Sequence, residues 1–140
     1  MIRPAIRVFG RTRLVIAYIH SATIVVRDQN RAVDFYVNTL GFEKRRNDLF
    51  MPESRWIEVV PPNISTALAL VTPAAMSGHG PEETGGHIEV SLVTHDIGAT
   101  YEELIGQGVE FTGPPEKMPW GAKATWFNDP DGNRFFLAEE

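Results

Sequence analysis

Apolar positions fall into two series along the chain. In the first, Ala22–Arg27 (ATIVVR) is rich in β-branched residues and predicts a strand. Asp28 follows as an N-cap. Ala32, Phe35, Tyr36 and Leu40 then recur at helical spacing as far as Gly41, which is placed to end the helix in a left-handed turn. Three more strands are predicted: Phe42–Arg46, Arg55–Val60 (RWIEVV), stopped by Pro61 and Pro62, and Thr66–Thr72 (TALALVT), stopped by Pro73. The second series opens with a strand over His87–Val93. Asp96 caps a helix carrying Ile97, Tyr101, Leu104 and Ile105, and Gly108 ends it. Strands over Val109–Thr112, Ala122–Phe127 and Arg134–Ala138 complete the series.

Both series read strand, helix, strand, strand, strand. Asp28 matches Asp96 at an offset of 68 residues and Gly41 matches Gly108 at 67, so the pattern predicts an internal duplication. The fold expected is α+β, built from two tandem βαβββ modules. Residues 1–19 form a basic N-terminal extension, 20–72 the first module, 73–86 a linker and 87–140 the second module, together one domain. The linker reading rests on PAAMSGHGPEETGG, which is rich in Pro, Gly and small polar residues. The last hairpin turns at Asp129-Pro130-Asp131-Gly132. Pro suits the second position of a type I turn there, and Gly132 can take positive φ where the strand restarts.

Composition changes this picture in three places. The longest apolar run, Leu14 to Ile19, has six residues. That is far below the ~18 needed to span a membrane and short of the ~7 of a secretory core. With no Cys there are no disulfides and no thiolate ligands, so any metal site must use His, Asp or Glu. Charge is uneven. Residues 1–27 hold Arg3, Arg7, Arg11, Arg13 and Arg27 and no acid, whereas residues 28–140 hold all 18 acids against eight bases. The basic start reads as an extension, as an edge strand added to the domain, or as an organelle transit segment. The acidic remainder, with no basic stripe interleaved with aromatics, argues against nucleic-acid binding. A cytoplasmic location is expected.

The pairing of D-x-x-x-A-x-x-F-Y-x-x-x-L-G-F, here Asp28 to Phe42, with DPDGN at 129–133 resembles the vicinal oxygen chelate superfamily. That group contains glyoxalase I, extradiol dioxygenases and bleomycin-type resistance proteins. RWIEVVPP and PPEKMPWG look like a glyoxalase-like subgroup. The resemblance covers about residues 20–140. It implies a curved, eight-stranded open barrel with the helices outside, a small-molecule site on its concave side and a homodimer. In metal-dependent members four inward side chains, usually His and Glu, hold one divalent ion that acts as a Lewis acid on paired substrate oxygens.

Carried over position by position, the ligand set fails. The first and third positions lie seven residues before the capping Asp, at Ser21 and Glu89. The second matches Ala69, and the fourth, three residues after DPDGN, is Phe136. Only Glu89 is a good ligand, and metal sites usually need about three protein ligands. No metal and no other cofactor is therefore expected. A displaced site built from His79, His87 and Glu89 is the exception left open.

Without metal, the pocket chemistry rests on aromatic and acidic residues. Trp120, in a Pro- and Gly-rich loop, suits a pocket rim. Trp56 and Trp126 read equally as core or as site, and Phe136 gives the cleft an apolar floor. Glu89 on such a floor becomes a desolvated general base, or else a carboxylate satisfied by Ser21, Lys123 or Arg134. The site expected therefore has Glu89 as the catalytic candidate and Ser21, Trp56, His87, Trp120 and Phe136 as substrate-binding residues. Three function classes follow. One is a metal-free binder of a planar or amphipathic small molecule. Another is a lyase or isomerase of glyoxalase type using Glu89 or an atypical metal site. The third is a structural module within a larger assembly.

Overall fold

The computed structural model describes residues 7–9, 12–51, 54–73 and 89–140. Among the described residues, β1 (Arg7–Phe9) and β2 (Thr12–Leu14) form an antiparallel pair that joins neither of the larger sheets. The first module then runs β3 (Ser21–Val25), α1 (Gln29–Val33), a π-helical stretch (Asp34–Thr39), β4 (Glu43–Met51), β5 (Ser54–Val60) and β6 (Ala67–Val71). The second runs β7 (Glu89–Thr94), α2 (Ile97–Gly106), β8 (Glu110–Phe111), β9 (Glu116–Lys117), β10 (Lys123–Asn128) and β11 (Arg134–Glu139).

Strand order is β3-β6-β5-β4 in one sheet and β7-β11-β10-β8 in the other, with β9 added beside β10. In each sheet the first and last strands of the module pair in parallel and the remaining pairs are antiparallel. The two sheets share no hydrogen-bonded ladder among the described residues. β3 and β7 therefore stand at corresponding edges.

The helix starts follow the predicted chemistry. Asp28 accepts from the Arg31 amide at 3.1 Å and Asp96 from the Ala99 amide at 3.0 Å. Gly41 and Gly108 take φ of +81° and +86° just past the helical segments. The first helix departs from a regular α-helix. After five residues it widens into a π-helix, with the Leu40 amide reaching the Phe35 carbonyl at 3.0 Å. The wide turn buries the consecutive rings of Phe35 and Tyr36 together, their centroids 5.1 Å apart.

Side chains of both modules merge in one core. Ile24, Ile57 and Leu70 from the first sheet and Phe127, Phe135 and Leu137 from the second belong to the same buried cluster as Tyr36, Ile97 and Leu104. The DPDGN turn fastens the modules. Tyr36 donates to Asp129 Oδ2 at 2.7 Å, and Asn133 Nδ2 donates to that oxygen at 2.8 Å and to the Val25 carbonyl at 3.0 Å. Asp131 accepts from the Arg27 amide and from Arg31. Burial pushes the Asp129 carboxyl above its ordinary pKa despite these donors, and burial beside Asp129 holds the Tyr36 phenol well above its usual range.

Candidate functional site

The core uses one face of each sheet, so strand alternation sends the other set of side chains away from the helices. On the second sheet this row contains Glu89 and Ser91 from β7, Arg134 and Phe136 from β11, and Trp126 from β10. The register aligns Arg134 with Glu89, Phe136 with Ser91, and Trp126 with Phe136.

These side chains meet. Trp126 reaches across β11, and its indole Nε1 donates to Glu89 Oε1 at 2.7 Å. Its ring is flanked by Phe136, with centroids 4.9 Å apart, and by the Arg134 guanidinium carbon, 5.3 Å from the ring centre. Trp120 extends the row beyond Phe136 at 6.4 Å, and its side chain is 67% exposed. The result is a ladder of π surfaces, Arg134–Trp126–Phe136–Trp120, with a carboxylate at the indole N–H. Glu89 lies on an exposed stretch of β7. Within one chain it therefore lacks the enclosure on which a desolvated base depends.

The first sheet carries a different polar cluster on its helix-free face. Glu58 stands beside Ala69 and Ala69 beside Thr23, in the row where the second sheet has Trp126, Phe136 and Ser91. By register, then, Glu58 occupies the place of Trp126. It is buried to 1% exposure, accepting from Trp56 Nε1 at 2.7 Å on one oxygen and from Arg45 Nε and Nη2 at 2.8 and 2.6 Å on the other. Arg45 also donates to the Ser65 carbonyl, and its Nη2 lies 3.3 Å from His20 Nε2. Burial pushes the Glu58 carboxyl up, but the hydrogen bonds from Trp56 and Arg45 and the Arg45 charge outweigh it, so its pKa lies below the ordinary value.

The residues singled out from sequence thus separate into groups. Glu89, Trp120 and Phe136 come together. Ser21 is half-buried at the start of β3, and Trp56 is held on the first sheet by Glu58. His79 and His87 lie outside the described residues. Neither Lys123 nor Ser21 bonds Glu89, and Trp126 does. Glu58 and Arg45 were missed. The alternation in RWIEVV places Trp56 and Glu58 on one strand face, opposite Ile57 and Val59, and that was the available signal. Position 69 is Ala and position 136 is Phe, and neither carries a donor, so the residues present do not fit the divalent ion of metal-dependent relatives. Among the described residues no group of three His, Asp or Glu could hold one.

A concavity of about 680 Å³ lies on the helix side between the two sheets. It is lined by Ala22, Leu40, Phe42, Leu68, Val90 and Leu92, and Glu103 is the single charge among its described lining residues. Val90 and Leu92 point to the opposite face of β7 from Glu89, and the groove reaches the ladder's face only along that edge strand, where Ser91 also lines it. Its polar lining consists of hydroxyls and amides with one carboxylate, whereas the ladder gathers a carboxylate, a guanidinium and three aromatic rings and is the better candidate site.

The family model for the Glyoxalase/Bleomycin resistance protein/Dioxygenase superfamily matches residues 18–137. The chain belongs to this superfamily. A superfamily member from Sphaerobacter thermophilus is 53% identical over 91% of this chain and 100% of its own, with a TM-score of 0.84. TnmS3 from Streptomyces sp. CB03234, described as an antibiotic binding protein, is 32% identical over 89% of this chain and 97% of its own, with a TM-score of 0.74. The uncharacterized protein YetH of Bacillus subtilis is 35% identical, covering 89% of this chain and 100% of YetH. At the positions matched to the superfamily's metal ligands this member carries Ser21, Ala69, Glu89 and Phe136. No helix among its described residues is long and apolar enough to cross a membrane.

Proposed function

We propose that this chain binds a small organic molecule with a planar apolar surface on the helix-free side of its second sheet, without a metal ion or other cofactor. The observation that carries the reading is the Trp120–Phe136–Trp126 ladder ending on Glu89, in which Phe136 and Glu89 stand at two of the four positions matched to metal ligands. Adjacent aromatic rings, tilted by 49° and 59° to one another, supply contact area at low conformational cost, and one carboxylate supplies orientation. The similarity to an antibiotic binding protein supports the same class of activity.

In this reading Glu89 orients the ligand, and Trp120 and Phe136 form its platform. The modules are residues 20–72 and 87–140, with 1–19 as an extension and 73–86 as a linker. Their sheets serve as halves of an eight-stranded open barrel in a cytoplasmic homodimer. Two features support the dimer. The groove residues Ala22, Leu40, Phe42, Val90 and Leu92 are only half-buried between two edge strands, and Val93 on β7 is 56% exposed.

The test is a screen of planar aromatic compounds by tryptophan fluorescence, with parallel assay for chemical change of each compound. Saturable quenching without turnover is expected, weakened in Trp120→Ala. Binding that is untouched by Trp120→Ala and Phe136→Ala, or conversion of the bound compound, would overturn the proposal.

A further inference from the structure

We propose that the face of Trp126 now covered by the Arg134 guanidinium, on a ring whose N–H bonds the Glu89 carboxylate, is a subsite for a planar cation: an amidinium, a guanidinium or a protonated aryl amine. The inference rests on the binding reading above and names its ligand class.

Three observations converge on this slot. First, Trp126 already holds a planar cation, since the Arg134 guanidinium carbon is 5.3 Å from the ring centre. Arg134 is exposed and forms no ion pair among the described residues. Its head is therefore held by cation–π attraction alone, which is weak at an exposed site, and it can swing into solvent. Second, the indole N–H is consumed by Glu89 Oε1 at 2.7 Å. Trp126 can thus offer a ligand only its π face, and a carboxylate at the N–H makes that face more attractive to positive charge. Third, Glu89 and Arg134 are register partners on adjacent strands, so the carboxylate stands beside the slot. Oε1 takes the indole N–H, and no donor reaches Oε2 among the described residues. A ligand cation stacked on Trp126 can donate to Oε2 as a charge-assisted hydrogen bond, the strong kind. Arg134 cannot serve both the ligand and the slot. It acts as a built-in competitor that a ligand must displace.

This gives a prediction of unusual sign: removing a site arginine tightens binding. The probes are 2-naphthamidine, with 2-naphthamide and 2-naphthoate as neutral and anionic counterparts of the same shape, titrated by tryptophan fluorescence and calorimetry. Wild-type protein binds the amidine about tenfold or more tightly than the amide. Glu89→Gln keeps the amide affinity and loses the preference for the amidine. Arg134→Ala raises amidine affinity about two- to fivefold, and Arg134→Lys, which keeps the charge but loses the plane, gives a smaller rise. The inference is overturned if Arg134→Ala leaves amidine affinity unchanged or lowers it, or if Glu89→Gln retains the preference. If all three probes bind alike, the planar-cation subsite fails while the binding reading stands. If none binds to either wild type or Arg134→Ala, the binding reading fails and the inference with it.

Discussion

Substituting Arg45 by Met removes one partner of a buried charge and keeps most of the stem that covers it. Glu58 is 1% exposed, and Arg45 approaches one of its oxygens through two donors at 2.8 and 2.6 Å. Breaking a buried ion pair from one side costs about 3–5 kcal/mol. Trp56 still donates to the other oxygen at 2.7 Å, so the lower end, about 3 kcal/mol, is expected. With a urea slope of about 2 kcal/mol/M, the unfolding midpoint falls by about 1.5 M. The pH dependence has a definite sign. Because the Glu58 pKa is lowered in the fold, its stabilisation is present above the unfolded-chain value and is lost as pH falls through the folded value. The cost of Arg45→Met is therefore largest at neutral pH and shrinks as Glu58 becomes protonated. Adding Glu58→Gln to the variant recovers part of the loss, since it removes the stranded charge. Urea melts at pH 7 and pH 4 decide the matter. A cost below about 1 kcal/mol at both, as for an exposed pair, refutes the reasoning.

Tyr36→Phe removes a buried donor to Asp129 and is expected to cost about 1.5–3 kcal/mol at neutral pH. The raised Asp129 pKa makes its contribution greatest below the unfolded-chain value and lost as pH rises through the folded one. The Tyr36 bond, by contrast, favours the ionised carboxylate, so the Tyr36→Phe cost falls on acidification, and thermal melts from pH 7 to pH 4 that show a constant cost contradict this. Gly132 has φ of +82° with open space around an added Cβ, so Gly132→Ala costs about 1–2 kcal/mol by backbone strain alone and Gly132→Asn distinctly less; equal melting points for the two variants rule out strain as the cause. Trp120→Ala, at a 67% exposed ring, changes the melting point little and weakens planar-ligand binding, whereas a large destabilisation would assign Trp120 to the core instead.

The order of elements was legible because each half of the chain repeats the same punctuation. Asp caps and glycines at matching offsets fixed where both helices start and stop, and the strands of alternating or continuous apolar residues kept their places. β4 was legible only at its start. Its residues EKRRNDLFM form an exposed edge strand with two register shifts, and a polar edge strand carries no apolar period to read. β9 is two residues long, beside the prolines of PPEKMPWG, and its pairing with β10 is set by tertiary contact. The π-helical widening is also tertiary, since it serves the burial of Phe35 and Tyr36 against both sheets. At the site, sequence brought out Glu89, Trp120 and Phe136 through their strand or loop positions. The Trp126–Glu89 bond spans 37 residues and two strand spacings, so no local pattern reveals it. Glu58 was hidden because an acid between apolar neighbours reads as surface until its partner Arg45 is folded beside it.

The central claim is metal-independent binding on the aromatic ladder, and calorimetry of chelator-stripped protein tests it most directly. Wild-type chain, dialysed exhaustively against a chelator, is titrated with the best planar ligand from the fluorescence screen, before and after addition of Ni, Zn, Mn or Fe(II). Saturable binding of the same affinity in every case is predicted. Binding that appears only when one of these ions is restored contradicts the account.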